Sequence, residues 1–387
     1  MSHQFDVLVV GGGVVGLAAA IAMAQCKHSV AIIDAGSLSV DVTATDMRVY
    51  AINKASQSLL KQLDVWSYLD NSRVSPYHQM HVWDASNGAY IDFDSRLIAE
   101  QNLGAIIEES ILKQALLQKI SSEPNISLFS HSTIDEVIEL ENGIKISSQN
   151  DAWHGQLLMV TDGANSPTRK KLNIELTSWA YEQNALVATV ATEKPHLSTA
   201  YQVFNSDGPL AFLPLVNPHQ CSIVWSTNPI RAQKMMALGE EEFNLELTRA
   251  FARHLGKVEL LSARHQFPLR MRHVKQYAGT RWLLLGDAAH TIHPLAGLGL
   301  NVGLADVSSW INLSERFKDV PASKRALRAY QRERKHAVWQ IILMMEGFKQ
   351  LFTNNSMPIM ALRGLGLRFC NEFSSIKRIC IDHAAGL

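Results

Sequence analysis

Cysteine is scarce in this chain, which has only Cys26, Cys221, Cys370 and Cys380, none in a CxxC pair or beside histidines at zinc-ligand spacing. That scarcity excludes a disulfide framework and a zinc-ribbon architecture, and it predicts a reducing compartment with structural roles for the thiols. Net charge is missing too: 36 Lys and Arg balance 36 Asp and Glu, which leaves no electrostatic reason to expect a nucleic-acid partner. The chain shows no internal repeat, no low-complexity tract and no metal-ligand cluster. Its basic run, Lys324 to Trp339, carries Leu327, Tyr330 and Val338 at roughly helical spacing and reads as the solvated face of a helix. The start, MSHQFD, lacks Lys and Arg and has Asp6 where a secretory signal would be positive, so no signal peptide is expected.

What is present is a 387-residue chain, 47% hydrophobic, long enough to bury a large core and to form two domains. Val7 to Ala24 carries no charge, and its length alone would suit a bilayer span of about 18–20 residues. Gly11, Gly12, Gly13 and Gly16 argue against that, because each glycine inside a helix costs about 1 kcal/mol relative to alanine. The better reading is a strand from Phe5 to Val10, a tight turn, and a small-residue helix from Val14 to Cys26. A second strand, Ser29 to Ile33, then ends in Asp34. Gly11-x-Gly13-x-x-Gly16 therefore has both the context and the spacing of a dinucleotide-binding βαβ unit. Gly11 permits the turn, Gly13 lets the backbone approach a pyrophosphate, and Gly16 lets helix and strand pack closely. Val14 and Val15 open the helix whose N–H groups face that phosphate. Asp34 suits an adenosine ribose and its charge disfavours a 2′-phosphate, so FAD or NAD is expected rather than NADP.

A second glycine-rich loop lies far along the chain. Trp282 to Leu285 reads as a buried strand, with Gly286 and Asp287 where it ends. Pro294-x-x-Gly297-x-Gly299-x-Asn301 then leads into a helix with Leu300, Leu304, Val307 and Ile311 on one apolar face. A helix N-terminus there suits the negative charge that develops on a reduced isoalloxazine, and Asp287 is placed to hold a polyol chain.

With these residues together, the sequence resembles the FAD-dependent aromatic-ring hydroxylases, and within them the ubiquinone-biosynthesis branch. The family's GDAAH…P…G-x-G-x-N motif corresponds to Gly286 to His290, Pro294, Gly297, Gly299 and Asn301. Its DG motif corresponds to Asp162 and Gly163 after the strand Leu157 to Val160, and its cofactor arginine to Arg48. Ala200 to Leu215 and the terminal SIKRICIDHAAGL are also similar to that branch, so the resemblance spans essentially the whole chain. It implies FAD as cofactor, NAD(P)H as transient reductant, O2 as co-substrate, and hydroxylation of a hydrophobic prenylated phenol or quinol. It also implies that Pro294, Gly299 and Leu300 surround the flavin ring; no general base is assignable, His290 and His293 being equally suited to structural roles. Departures from the family pattern are Leu298 in place of glutamine, Thr161 in place of alanine, and Glu109 where a neutral or basic residue is usual. A flavin oxidase or dehydrogenase, or a non-catalytic FAD-binding subunit, are the alternative readings.

The expected fold class is α/β: a Rossmann-like FAD-binding domain (1–75, 100–178, 276–340) interleaved with a smaller α+β substrate domain (76–99, 179–275) carrying an antiparallel sheet, plus a C-terminal helical segment (341–387). Phe212, Leu213, Pro214 and Trp225 are the candidate substrate-pocket wall, with packing in the core of the small domain the alternative for each one taken singly. The apolar, Met-rich segment Trp339 to Phe369 is expected to cap the FAD domain, or else to touch lipid or other ubiquinone-pathway enzymes. The expected location is cytoplasmic, peripheral to the inner face of the membrane.

Overall fold

The computed structural model describes residues 1–43, 46–292, 297–317, 321–354 and 356–386. At its centre lies a five-stranded parallel sheet in the order Trp282–Leu284, Leu157–Val160, Val7–Val10, Val30–Ile33 and Ile126–Phe129. The first four strands are buried throughout. Burial on both faces is why they read as unbroken apolar runs rather than as an alternation. Helices Val14–Gln25, Glu109–Ser121 and Leu298–Phe317 pack together on this sheet, and a small sheet adds Ile144, Ile146 and Trp153 to the same core. Val7 to Ala24 is thus strand, turn and helix. The helix is apolar all round because all of its faces are covered. Among the described residues no helix is long and apolar enough to cross a membrane.

A second, nine-stranded sheet is built on Gln79–Asp84, Tyr90–Asp94, Leu176–Thr192, Thr199–Asn205, Gly208–Pro214, Gln220–Thr227 and His265–Val274. Its pairs are antiparallel except one, Thr199–Asn205 with Gln79–Asp84, which runs parallel. That pair joins two segments separated by half of the nucleotide-binding domain, so no hairpin imposes an antiparallel turn. Helices Pro229–Ala237 and Glu240–Ala250 cover one face over Phe212, Trp225, Phe243, Leu247 and Phe251. The other face looks across a cavity toward the parallel sheet. A short strand, His290–Thr291, leaves the second glycine-rich region and pairs with His265–Val274, tying the two sheets together.

Several expected boundaries do not survive. Cuts at 75/76, 178/179 and 340/341 fall inside the strands Val74–Tyr77 and Leu176–Thr192 and the helix Lys324–Thr353. Single elements run through both domains, and composition does not change along them. Within the expected cap, Ile342 and Met345 pack into the main core, but the next helix is placed differently from expectation. Helix Met357–Glu372 packs on Tyr90–Asp94 in the second sheet rather than over the nucleotide-binding domain, in a cluster with Val82, Ile91, Phe204 and Phe352. Buried Arg363 fixes it there, its Nε 2.6 Å from Asp84 Oδ2. Helix Ser374–Ala385 then returns to the rim of the cavity, where the Asn53 side chain donates to the Ala384 carbonyl at 3.0 Å.

Candidate cofactor and substrate site

A cavity of about 990 Å³ separates the two sheets. Gly13, Val14, Val15, Arg48, Gly163, Gly286, Asp287, Gly297, Gly299, Leu300 and Asn301 line it from the nucleotide-binding side. The structure thus brings together three motifs more than 100 residues apart. Gly11 and Gly16 do not line the cavity; they are demanded by protein packing. A Cβ on Gly11, whose φ is +109°, would stand 2.5 Å from the Thr161 carbonyl oxygen, and one on Gly16 would stand 2.0 Å from that of Gly11. Gly13 is different, since a Cβ there would meet no protein atom within 4 Å. Nor would one at Gly163 or Gly299. Bare backbone opening onto a large cavity, at the start of two long helices, fits a bound dinucleotide: the unpaired N–H groups of a helix's first turn suit phosphate oxygens or a developing anion.

Other predicted residues have more than one task. Asp34 accepts hydrogen bonds from the backbone N–H groups of Gly12 and Gly36, so its carboxylate shapes the glycine loop. Asp162 accepts from the Ser166 hydroxyl and, at 3.0 Å, from the Thr168 N–H, and so starts the helix Pro167–Lys171. The Asn301 side chain is spent on protein: its Nδ2 donates to Ala51 O at 2.8 Å and Gly297 O at 3.0 Å, while its Oδ1 accepts from Asn53 N–H at 3.0 Å. These bonds dock helix Leu298–Phe317 onto strand Val49–Asn53 and hold Arg48 and Tyr50 at the cavity wall. Leu300 lines the cavity, whereas Leu304, Val307 and Ile311 on its stripe are buried. Pro294 and His293 lie outside the described residues.

The departures from the family pattern each find a place. Leu298 opens the helix and lines the cavity. The Thr161 hydroxyl donates to the carbonyls of Val10 and Gly11, both at 2.9 Å. Glu109 lines the cavity and pairs with Arg48, Nε to Oε2 at 2.9 Å. Tyr50 lies beside this pair; burial raises its phenol, Arg48 opposes, and Glu109 adds to the rise. Asp287 lines the same cavity, where desolvation pushes its carboxyl up against the opposing pull of His290 and Arg48.

Sequence reasoning missed two buried charge clusters. Arg169 donates to Ala288 O at 2.8 Å and Ala164 O at 3.0 Å, bridging the DG loop and the second glycine-rich region. Asp306 is fully buried and accepts from His290 Nε2 at 2.7 Å, Arg334 Nε at 2.6 Å and Gly286 N–H at 2.8 Å. Burial alone would raise its carboxyl; His290 and Arg334 overcome this and hold it below the ordinary range. His290 is therefore a structural partner that fixes the turn at Gly286. Asp306 as the lone charge in the otherwise uncharged run from Leu298 to Ser314 was the available signal.

The substrate wall is corrected by strand parity. Leu213 lines the cavity with Pro209 and Ala211, and so do Ser222, Val224 and Ser226 on the next strand. Phe212 and Trp225 point into the opposite core, Phe212 stacking on Phe251 at 3.7 Å, and Pro214 shares that orientation. Successive side chains in a strand face opposite ways, and the large aromatics fill the helix-covered side. The small residues Ala211, Ser222 and Ser226 mark the side that leaves room for a ligand. Tyr50, His265, Phe267 and Arg270 are among the further residues that line it.

A doubly glycine-looped dinucleotide fold whose cavity is roofed by a second sheet defines a nucleotide-cofactor oxidoreductase. The family model described as "FAD binding domain" matches residues 4–344. The chain belongs to that family, and FAD is its cofactor. It is 33% identical to the 3-demethoxyubiquinol 3-hydroxylase of Escherichia coli (strain K12), over 99% of this chain and 98% of that one. It is 29% identical to the ubiquinone biosynthesis monooxygenase COQ6 of Dictyostelium discoideum, over 99% of this chain and 91% of the other. Among solved structures, p-nitrophenol 4-monooxygenase PnpA from Pseudomonas putida DLL-E4 has the same fold, with a TM-score of 0.80 at 16% identity over 99% of this chain and 98% of that one.

Proposed function

We propose that this protein hydroxylates the aromatic ring of a polyprenylated phenol or quinol in ubiquinone biosynthesis, using FAD, NAD(P)H and O2. The observation that carries this reading is the single cavity joining both helix N-termini to a sheet face of small and apolar residues. The full-length similarity to two ubiquinone-pathway hydroxylases supports the same substrate class.

Bound in this cavity, FAD supplies the redox chemistry that takes electrons from NAD(P)H and activates O2. The chain's own residues do the rest. Gly13, Val14 and Val15 would offer backbone N–H groups to the pyrophosphate, Asp287 would hold the polyol chain, Arg48 would contact the cofactor near the reacting end, and the helix start at Gly299 and Leu300 would favour negative charge on the ring. Asp34 adds its carboxylate for the adenosine ribose. Pro209, Ala211, Leu213 and Val224 exclude water from the reacting face, which protects oxygen chemistry from unproductive decay. Its greasy substrate is drawn from a membrane, and helix Met357–Glu372 offers a peripheral contact: Leu362, Leu365 and Phe369 are exposed beside Arg368.

The test is turnover of a prenylphenol by the purified holoprotein under labelled O2. Incorporation of one labelled oxygen into the ring, with substrate-stimulated NAD(P)H oxidation, is the expected result. Nicotinamide oxidation that ignores every phenol, or product without label, refutes it.

A further inference from the structure

At the far end of the cavity-facing side of the second sheet, the long helix Lys324–Thr353 crosses over it and leaves a narrow slot. Its main walls are Tyr181, Phe204 and Pro209 from the sheet, and Met345, Phe348 and Phe352 from the helix. Pro209 also lines the main cavity, so the slot and the cavity adjoin at that residue. We propose that this slot is the subsite for the isoprenoid tail of the substrate; the inference rests on the substrate class proposed above.

Four observations support it. Most of the lining is aromatic rings, a proline and a thioether, which suit hydrocarbon, and Gln183, Asn205 and Lys349 are its polar members. Lys349, the charged residue of the slot, is engaged by Tyr181, its Nζ lying 3.2 Å from the Tyr181 carbonyl oxygen and 5.1 Å from the ring centre. The slot also leads outward to apolar surface, since Phe348 and Leu343 on the same helix are 40% and 66% exposed. The competing way out of the cavity, past His265, Phe267 and Arg270, is flanked by a histidine and an exposed arginine, which a hydrocarbon chain would leave without partners.

The slot is nearly closed, with an opening of about 30 Å³, room for roughly two waters. Admission of a tail therefore needs its walls to part. Phe204 and Phe352 stack face to face at 3.8 Å with an interplanar angle of 17°. No hydrogen bond links the rings, and unbranched Met345 beside them adapts to a new shape by rotating its side-chain bonds. The geometry makes this aromatic pair the gate.

The test uses the holoprotein and two phenols with the same ring, one carrying a single isoprene unit and the other a long polyisoprene chain. Each is titrated by the change in flavin absorbance. The parent protein is expected to bind the long-chain phenol more tightly. Met345→Trp should weaken that phenol roughly tenfold or more, each buried methylene being worth a few-fold in affinity, while leaving the short one unchanged. Phe348→Trp, at an exposed position, repeats the test if Met345→Trp loses its flavin. Equal binding of both phenols by the parent, or equal weakening of both in the variants, overturns the proposal. So does a chain-length effect that responds to Phe267→Trp and not to the slot variants. A parent protein that binds both phenols with the expected preference but forms no hydroxylated ring would refute the hydroxylase reading and leave the slot standing.

Discussion

Gly13 and Gly16 belong to one motif, yet the structure predicts opposite consequences for substituting them. Gly13 has φ −78° and ψ 175°, a conformation open to any residue, and a Cβ there would touch no protein atom within 4 Å. Gly13→Ala should change the stability of the apoprotein by less than about 1 kcal/mol: the stiffer unfolded chain contributes about 0.4–1 kcal/mol of stabilisation, and alanine is slightly poorer than glycine at a helix N-cap. Gly16→Ala drives a methyl group to 2.0 Å from the Gly11 carbonyl oxygen, a backbone atom that cannot rotate away, so a loss of about 3 kcal/mol or more is expected. FAD affinity should show the reverse economy of effects. The methyl of Gly13→Ala occupies the space a pyrophosphate oxygen needs, and losing one charge-assisted hydrogen bond of about 1.5–3 kcal/mol weakens binding roughly ten- to a hundredfold. The assay is thermal unfolding of both apoproteins beside FAD titration by flavin fluorescence quenching. An unstable Gly13→Ala apoprotein, or one that binds FAD as tightly as the parent, would refute the assignment of Gly13 to the ligand.

Three further outcomes are expected. Arg334→Leu leaves the buried Asp306 carboxylate with only His290 and the Gly286 N–H and should destabilise the protein by about 3 kcal/mol. Asp306 is held below its ordinary value, so its contribution is complete above about pH 4 and lost as pH falls through the depressed folded-state value; the deficit of the variant should narrow in acid, and a pH-independent deficit contradicts the ion-pair account. Phe212→Ala should cost about 3–5 kcal/mol with little change in phenol binding. Leu213→Ala should cost below about 2 kcal/mol and weaken the phenol; thermal unfolding and flavin-monitored titration separate the two, and the reverse pattern would mean that the strand parity is wrong. Replacing Leu362, Leu365 and Phe369 together with serine should leave flavin content intact and reduce flotation with anionic liposomes, and undiminished flotation removes that helix from any lipid contact.

Much of the strand, turn and helix around the glycine motif was legible in the chain because its determinants are local. A strand buried on both faces must be an apolar run, a tight turn before a helix needs glycine, and an acid at the next strand's end follows at a set distance. Val7–Val10, Gly11 to Gly16 and Asp34 are accordingly where the pattern puts them. Gly163, Gly286, Asp287, Gly297, Gly299 and Asn301 from the other two short motifs also reach the cavity wall.

Tertiary structure alone decided which side of a strand meets the cavity. Alternation along Gly208–Pro214 divides its residues into two sets, but whether Phe212 or Leu213 faces a ligand depends on where helices Pro229–Ala237 and Glu240–Ala250 settle. The buried charges were equally hidden. Asp306 and Arg334 are 28 residues apart and Asp84 and Arg363 are 279 apart, and nothing in either local sequence distinguishes such a charge from a solvated one. A buried ion is tolerated only where a distant partner meets it in the fold. Helix Met357–Glu372 follows the same rule: the part of it that is covered lies on the strand Tyr90–Asp94 of the second sheet, which only the assembled fold brings to it. Periodicity states that a face must be buried, and the folded chain decides against what.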